Sequence, residues 1–425
     1  MASKTAQKRL LLLMPTTTYR AEPFLEAAQR LGLDVIVGSD RCHRLADYWH
    51  IPLALKFRDP DRAVLDIIRS AQEQPVHAIV PVDDRTTVIA ARASAALGLP
   101  HNSAEAADAA RNKRRMRELV TAAGVRCPAF AVVESRDEAR LAASRVAYPC
   151  VLKPLLLSAS RGVIRADTPD EFVAAFDRIQ RILFHSPDLP SSPDPDSTRI
   201  LVEQFIPGRE VAVEGLLTGG RLRVLAVFDK PDPLDGPFFE ETIYVTPSRL
   251  PQSVQDAIIA CTSQAARAIG LSEGPVHAEL RVNETGPWII EVAGRSIGGL
   301  CSRTLRFGLG ITLEELILRH AFGLEVDHLQ RQGEASGVMM IPVPATGILK
   351  GVEGVANAKA VPGIEDVQIT AKPGQMLVPL PEGASYPGFI FARGKTPGFV
   401  EKALRRAHRR LRFDIVPQLP VAGGG

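Results

Sequence analysis

Two glutamates in the middle of the sequence are spaced so that they could share one metal ion. Glu279 lies in the apolar segment HAELRV and Glu291 in the apolar segment WIIEVAGR, with turn residues at 283–287 between them. If these segments form a β-hairpin with Asn283 opposite Pro287, Glu279 falls directly across from Glu291. Two opposed carboxylates repel each other unless a cation lies between them. Mg²⁺, which prefers oxygen ligands, is the simplest candidate.

An arginine and a glycine loop follow the second glutamate. Arg295 ends the segment that carries Glu291, and Gly298 and Gly299 mark a loop where the bare backbone can approach an anion. Two carboxylates, an arginine and a glycine loop together predict a site that handles phosphate groups. The alternative is a solvent-facing hairpin with ordinary glutamates. That interpretation is weakened because both strands are apolar and Ile289 is expected on the face of Glu291.

Earlier parts of the chain supply further groups that could bind a nucleotide. Lys153 ends the apolar segment PCVLKP, where its charge is costly to bury without an anion partner. The loop after it offers Ser158, Ser160 and Gly162, whose hydroxyl and backbone groups can donate hydrogen bonds to a phosphate. Three more charged candidates, each more often an ordinary exposed residue when taken alone, are Lys113, Glu203 and Glu210.

The elements that must position these residues follow from the hydrophobic pattern. Residues 9–100 alternate short apolar strands with helices, which predicts a parallel sheet with helices on its faces. The first strand runs into MPTTTYR instead of a glycine-rich dinucleotide fingerprint, so this part is Rossmann-like in shape only. The segment at 199–230 predicts three consecutive antiparallel strands joined by glycine-containing turns.

The last part of the chain has a different pattern. From residue 337, short strands rich in glycine and proline predict a small, mostly antiparallel module that is closed by a helix at 397–412. We therefore expect a fold that is α/β in its first part and α+β in the rest. The expected domains cover residues 1–100, 101–200, 201–325 and 326–425.

The composition indicates a globular protein without nucleic-acid or membrane partners. The 425 residues carry a net charge of +3, and 45% of them are hydrophobic. Apolar residues recur at helical spacing around the basic segment 405–410, so its arginines are expected on a solvated helix face. No apolar run has the length of a signal peptide or a membrane span, and five scattered cysteines favour a reduced, cytoplasmic setting.

Several of these segments together resemble the ATP-grasp superfamily. They are Lys113, VLKP at 151–154, VEQFIPGREVAVEG at 202–215 and AELRVNETGPWIIEVAGR at 278–295, and the resemblance covers residues 9–325. The segments ASGVMMIPVP and ASYPGFIFARG are similar to the terminal domain of the L-amino-acid ligases within that superfamily. The resemblance implies an enzyme that joins a carboxylate to an amine, with amino acids as the expected substrates. It implies an acyl-phosphate intermediate, release of ADP and phosphate, and an amide or dipeptide product; a homodimer is compatible with it.

The resemblance also implies a place for each expected domain and roles for single residues. Residues 1–100 would be the Rossmann-like domain, 101–200 and 201–325 the two ATP-grasp subdomains, and 326–425 the ligase-type terminal domain. The implied ATP contacts are Lys113 and Lys153 at the phosphates, Ser158, Ser160 and Gly162 in the covering loop, Glu203 with the backbone of Phe205 and Ile206 at the adenine, and Glu210 at the ribose. Glu279 and Glu291 are implied to carry Mg²⁺, with Mn²⁺ as an alternative cation.

For the chemistry itself, the resemblance implies that Arg295 faces the transferring phosphoryl group together with Lys153. The residues suggested at the substrates are Glu241, His277, Arg303 and the loop glycines Gly298 and Gly299. For His277, a purely structural, hydrogen-bonded role is the alternative.

The sequence departs from the family pattern in two places. Ala293 stands where the family usually has an asparagine, which leaves the number of metal ions open, and the phosphate-covering loop is richer in leucine and poorer in glycine. Two other functions remain alternatives: a carboxylase-type enzyme that activates bicarbonate, and a nucleotide-binding regulator without turnover. The sequence has no Met-Lys-Met biotin-carrier motif, which argues against the carboxylase-type enzyme. The groups needed for turnover are present, namely Glu279, Glu291, Arg295 and the two lysines, which argues against the regulator. The sequence names neither substrate.

Overall fold

The computed structural model describes residues 8–40, 53–189, 194–326, 328 and 330–417. Within these residues the strands are β1 (Arg9–Leu13), β2 (Asp34–Ser39), β3 (Leu53–Ala54), β4 (Ala78–Pro81), β5 (Phe130–Val133), β6 (Cys150–Pro154), β7 (Ile164–Ala166), β8 (Ile200–Gln204), β9 (Arg209–Thr218), β10 (Arg221–Asp229), β11 (Ile243–Thr246), β12 (Gly274–Asn283), β13 (Gly286–Ala293), β14 (Arg306–Phe307), β15 (Ile311–Thr312), β16 (Ala335–Met340), β17 (Gly347–Glu353), β18 (Ile364–Ile369), β19 (Met376–Leu377), β20 (Gly388–Gly394) and β21 (Arg412–Val416). The α-helices are Ala21–Arg30, Pro60–Glu73, Asp84–Ala96, Ala104–Arg111, Lys113–Ala122, Arg136–Ala143, Pro169–Phe184, Gln252–Ile269, Leu313–Ala321, Val355–Lys359 and Pro397–His408.

The first sheet is parallel, as the sequence predicted, and its strand order is β3–β2–β1–β4. Alternate residues of β1 enter two different cores, with Leu10 packed in one and Leu11 in the other. Helices therefore cover both faces of this sheet. The segments that follow β1 and β4 leave the same edge of the sheet, where parallel sheets commonly bind ligands.

The second sheet has the order β5–β8–β6–β7 and is antiparallel. The prediction that β8 continues into the next two strands was wrong, because β8 pairs with β5 and β6 and not with β9. Residues 205–208 instead carry the chain across to a different sheet. Gly208 allows this crossing: its φ is +128°, and a Cβ atom there would lie 2.3 Å from the carbonyl oxygen of Val282.

The largest sheet has eight strands in the order β13–β12–β9–β10–β11–β16–β20–β18. It joins the middle of the chain to its C-terminal part, because β11 pairs with β16 from Ile243↔Met339 to Thr246↔Ser336. The short strands after residue 337 are antiparallel, as predicted, and some of them form a separate three-stranded sheet, β19–β17–β21. The sheet therefore runs across the expected boundary between residues 325 and 326.

The helix Pro397–His408 packs against the C-terminal end of the large sheet. Val400, Ala403, Leu404 and Ala407 are buried in one core with strand residues such as Val245. The segment that carries the basic residues thus turns an apolar face inward, which confirms the prediction of a helix there. Among the described residues, none of the helices is both long enough and apolar enough to cross a membrane.

Candidate active site

The hairpin of β12 and β13 places Glu279 opposite Glu291, as predicted, but its register differs from the expected one. Asn283 pairs with Gly286 and not with Pro287, which alone would misalign the glutamates. A β-bulge between the Leu280↔Ile289 and Glu279↔Glu291 pairs shifts the register by one residue and restores their alignment. The bulge also separates Ile289 from Glu291: Ile289 is fully buried in the core, whereas Glu291 lines the cavities described next.

Two adjoining cavities meet at these glutamates. The larger has a volume of about 460 Å³ and the smaller about 80 Å³. Their shared wall consists of Leu157, Ser158, Ala159, Ser160, Glu241, Glu279 and Glu291. A group passed from one cavity to the other would therefore cross between the loop after β6 and a cluster of carboxylates.

The smaller cavity contains a buried carboxylate held by two cations. Glu203 Oε1 accepts a hydrogen bond from Arg117 Nε at 2.6 Å, and its Oε2 lies 2.7 Å from Lys153 Nζ. Burial alone would raise the pKa of Glu203, but Arg117 and Lys153 outweigh it and lower that pKa. Arg117 was not among the predicted site residues. It lies one helical turn after Lys113 on the same buried face of the helix, and this spacing could have predicted that both basic residues lie at one site.

The predicted phosphate-covering loop is held in a fixed shape. Lys113 Nζ donates to the carbonyl oxygen of Leu157 at 2.6 Å, so this lysine supports the loop from below. Ala159 and Ser160 adopt left-handed backbone conformations, with φ of 56° and 54°, although neither is a glycine. Gly162 N donates to the carbonyl oxygen of Pro381 at 2.9 Å, which ties the end of the loop to the C-terminal part.

The residues predicted at the adenine and ribose line the smaller cavity with Arg281. Phe205, Ile206 and Glu210 all contribute to this wall. Arg281 Nη1 donates to the carbonyl oxygen of Ile206 at 2.9 Å, its Nε lies 3.0 Å from Glu210 Oε2, and its guanidinium carbon lies 4.9 Å from the centre of the Phe205 ring. The structure therefore brings together the residues that were predicted to surround the nucleoside.

A buried lysine that the sequence analysis missed lies among three carboxylates. Lys230 Nζ is 2.9 Å from Glu210, 2.6 Å from Glu241 and 3.0 Å from Glu279. The carboxylate oxygens of these three glutamates also lie within 4.8 Å of one another, close enough to share a metal ion. Lys230 follows β10 directly. It could have been predicted from the pattern that identified Lys153, a lysine at the end of an apolar strand. Burial lowers the pKa of Lys230, but the three carboxylates raise it well above the usual value.

Glu241 connects the two cavities. Its Oε2 accepts a hydrogen bond from the Tyr244 hydroxyl at 2.8 Å, and the side chain lines both spaces. Burial, then repulsion from Glu279, raises the pKa of Glu241 to about 7. A carboxyl group with this pKa can bind an ammonium group or accept a proton near neutral pH.

His277 forms a buried bridge between two glutamates. Its Nδ1 lies 3.1 Å from Glu214 Oε2 and its Nε2 lies 3.5 Å from Glu279 Oε1. Although burial lowers the pKa of His277, hydrogen bonds to Glu214 and Glu279 outweigh it and raise the pKa to about 9. His277 thus holds Glu279 in place and also lines the larger cavity.

Arg295 reaches the larger cavity, and the N-terminal part of the chain holds it there. Its Nη2 lies 2.8 Å from Oδ2 of Asp84, the first residue of a helix after β4. Burial raises the pKa of Asp84, but the attraction of Arg295 outweighs this and lowers it. Gly298 and Gly299 line the same cavity.

Arg303 is not brought to the site that the sequence analysis suggested for it. It lies in the 3₁₀ turn Cys301–Thr304, and its guanidinium donates to Gln368 at 2.6 Å and to Asp366 at 3.1 Å. Its guanidinium carbon also lies 4.1 Å from the centre of the Phe391 ring. Arg303 therefore lines neither of the two cavities, because its side chain contacts the strands β18 and β20 instead.

The carboxylates of the shared wall fit a divalent cation. Glu279 and Glu291 offer oxygen donors at one register position, and Glu291 makes no ion pair with any described residue. Ala293, two residues further on, offers no side-chain ligand. The loop after β6 lines the same two cavities as these carboxylates, and Arg295 lines the larger of them.

Three family models match the chain. Residues 25–101 match the ATP-grasp N-terminal domain, residues 146–304 the ATP-grasp domain, and residues 339–416 the L-amino acid ligase C-terminal domain 2. The crystal structure of the L-amino acid ligase from Bacillus licheniformis superposes with a TM-score of 0.79 at 25% identity, covering 97% of this chain and 99% of that chain.

Two curated relatives extend this similarity. The alanine–anticapsin ligase of Bacillus subtilis is 26% identical over 70% of this chain, and the match spans 66% of that ligase. The uncharacterized protein y4rH of Sinorhizobium fredii is 24% identical over 98% of this chain and 85% of its own length.

Proposed function

Because the chain is an ATP-grasp protein with the C-terminal domain of the L-amino acid ligases, we propose that it joins the carboxylate of one amino acid to the amine of another with ATP and Mg²⁺. The arrangement of the two cavities carries this proposal. The smaller one contains Lys113 and Lys153 for phosphates, the larger one has room for two small substrates, and Glu279 and Glu291 lie between them.

In the first step, a carboxylate oxygen in the larger cavity attacks the γ-phosphorus of ATP across the shared wall. The bond between that phosphorus and ADP breaks, which gives an acyl-phosphate and ADP. Lys153 and Arg295 neutralise the charge that spreads over the phosphoryl oxygens. Glu279 and Glu291 would hold Mg²⁺, which when bound supplies further positive charge to the phosphates. The loop at 155–162 keeps water away from the reacting group.

In the second step, the amine nitrogen of the other amino acid attacks the acyl carbon and phosphate leaves. The amine must lose a proton as the C–N bond forms. Glu241 lines the larger cavity and has a pKa of about 7, so it is suited to contact the ammonium group and accept that proton. The Tyr244 hydroxyl and Lys230 fix the orientation of this carboxylate.

The proposal is tested by supplying ATP, Mg²⁺ and pairs of amino acids and measuring ADP and phosphate release. We expect release that depends on both amino acids, together with an amide product of the matching mass. Release of AMP and pyrophosphate would place the protein in a different reaction class, because an acyl-phosphate route gives ADP.

Two alternatives make different predictions in the same assay. A carboxylase-type enzyme would release phosphate with bicarbonate alone, and a nucleotide-binding regulator would bind ATP without turnover. The C-terminal match to the L-amino acid ligases favours the ligase over the carboxylase. The paired Arg295 and buried lysines favour an enzyme over a regulator.

A further inference from the structure

All but one of the described basic side chains around the larger cavity are paired with a carboxylate. Six described side chains that can carry positive charge line this cavity, and five of them lie within 4.0 Å of a carboxylate. These five pairs are Arg20–Glu314 at 3.8 Å, Arg85–Asp188 at 3.0 Å, Arg161–Asp188 at 3.1 Å, His277–Glu214 at 3.1 Å and Arg295–Asp84 at 2.8 Å. The sixth, Arg111, makes no ion pair and no side-chain hydrogen bond with any described residue.

Backbone hydrogen bonds hold the chain in place directly after Arg111, and a helix holds it before. Arg111 ends the helix Ala104–Arg111, and Asn112 N continues that helix with a hydrogen bond to the carbonyl oxygen of Asp108 at 2.8 Å. Asn112 then caps the next helix, and Lys113 N donates to the carbonyl oxygen of Leu155 at 3.2 Å. A half-buried guanidinium on such a rigid support loses hydration without gaining a partner, which is unfavourable unless an anion completes the site.

The position of Arg111 identifies which anion it can meet. Lys113 and Lys153, the lysines suited to ATP phosphates, line the smaller cavity, whereas Arg111 lines only the larger one. The carboxylate that reacts must lie at the shared wall, beside Glu279 and Glu291. Arg111 does not belong to that wall, so a second, non-reacting oxyanion is its expected partner.

The larger cavity is also lined by an unpaired acid, Asp83, which does not belong to the shared wall. The Asp83 carboxylate makes no ion pair or side-chain hydrogen bond with any described residue, and it follows β4 at the cavity edge. Arg111 and Asp83 together offer one positive and one negative group to the two zwitterionic amino acids that this cavity is proposed to hold. An amino acid that supplies the amine carries both charges, and its carboxylate survives the reaction unchanged.

We infer that Arg111 binds the free carboxylate of the amino acid that supplies the amine. This inference rests on the proposed ligase function and names a specificity-determining residue for its second substrate. The planar guanidinium can donate two parallel hydrogen bonds to a carboxylate, which a carboxamide cannot accept in the same way. The enzyme is therefore selective for amines that carry a carboxylate.

The test compares an amine substrate with its carboxamide analogue in wild type, Arg111→Ala and Arg115→Ala. Arg115 is the matched control, because it lies on the neighbouring helix and pairs with Asp108 at 2.5 Å outside both cavities. We expect wild type and Arg115→Ala to prefer the free acid by about 10- to 100-fold in kcat/KM. In Arg111→Ala that preference falls to about 3-fold or less, while the Kd for ATP measured without amino acids is unchanged.

Binding to MgADP-loaded protein, followed by calorimetry, separates the two proposals. If wild type binds the amino acid and its carboxamide equally well, the role of Arg111 is wrong and the ligase function stands. A loss of ATP affinity in Arg111→Ala would also overturn it, since Arg111 would then be a phosphate contact. If wild type neither binds nor turns over any amino acid, the ligase function is wrong and the inference falls with it.

Discussion

Asp84 Oδ2 lies 2.8 Å from Arg295 Nη2, and this ion pair joins the N-terminal parallel sheet to the hairpin that carries Glu279 and Glu291. The aspartate is the first residue of the helix Asp84–Ala96, and the arginine ends the segment after β13. Both side chains are largely buried, so the pair is only weakly screened by solvent. The orientation of Arg295 is therefore set by a residue far away in the sequence.

We expect Arg295→Lys to lower kcat by about 10²- to 10³-fold, or about 3–4 kcal/mol, while the Kd for ATP changes little. A lysine cannot reproduce the planar fork with which Arg295 contacts Asp84 and, in the proposed mechanism, the phosphoryl oxygens. Nucleotide titration and steady-state turnover measure the two quantities. The matched control is Arg303→Lys, which makes the same change outside both cavities and should leave kcat near the wild-type value. Weaker ATP binding with unchanged kcat would remove the catalytic role.

Substitution of Glu291 by glutamine should abolish turnover without loss of stability. Glu291 makes no ion pair with a described residue, so removal of its charge breaks no contact in the fold. We expect kcat to fall at least about 100-fold, and the Mn²⁺ affinity measured by paramagnetic resonance to fall with it. Glu284→Gln, an exposed change on the turn of the same hairpin, is the control. Wild-type metal affinity in Glu291→Gln would rule out the hairpin as the metal site.

Lys230→Met should destabilise the protein by about 3–5 kcal/mol, because it leaves Glu210, Glu241 and Glu279 without their common cation. A divalent cation can then replace the lost charge, so Mg²⁺ should raise the unfolding temperature of the variant more than that of wild type. Thermal unfolding with and without Mg²⁺ measures both effects. The exposed Lys372→Met serves as the comparison. Equal unfolding temperatures for Lys230→Met and wild type would show that the cluster contributes nothing.

The stability of the metal-free protein should fall as the pH rises from about 7 to 9. The pKa of His277 is raised from 6.5 to about 9 in the folded protein, so its contribution is complete below pH 6.5 and is lost as the pH passes 9. The full contribution is about 3 kcal/mol. The contribution is the difference between the free energies of unfolding of wild type and His277→Gln, measured with denaturant at each pH. His185→Gln, on the surface, is the control. Parallel curves for wild type and His277→Gln would contradict the assignment.

The residues that local sequence pattern predicts well are those whose neighbours along the chain decide their environment. The alternation in HAELRV and WIIEVAGR was enough to pair Glu279 with Glu291, and the apolar run before Lys153 indicated its burial. The β-bulge at this hairpin left no trace in the pattern, since one extra residue changes the register without changing composition. The predicted pairing was therefore reached through a register that the protein does not use.

Residues that depend on distant parts of the chain were missed or misplaced. Lys230 offers the same signal as Lys153, but its three partners come from β9, the segment before β11, and β12. Asp84 and Arg111 enter the cavity from the first third of the chain, and no local pattern links them to Arg295. Arg303 follows the glycine loop in sequence, yet the strands β18 and β20 draw it away from the cavity.

The pairing of β11 with β16 has a consequence for how the polypeptide is made. While the chain is synthesised, the edge of β11 stays open until residues 335–340 have left the ribosome, because its partner strand is encoded much later. An open, apolar strand edge readily pairs with a strand from another molecule. A chain that stopped before residue 335 would keep that edge permanently, so such a fragment should aggregate and not persist as a smaller folded enzyme. The terminal segment is thus needed to complete the eight-stranded sheet that carries Glu279 and Glu291.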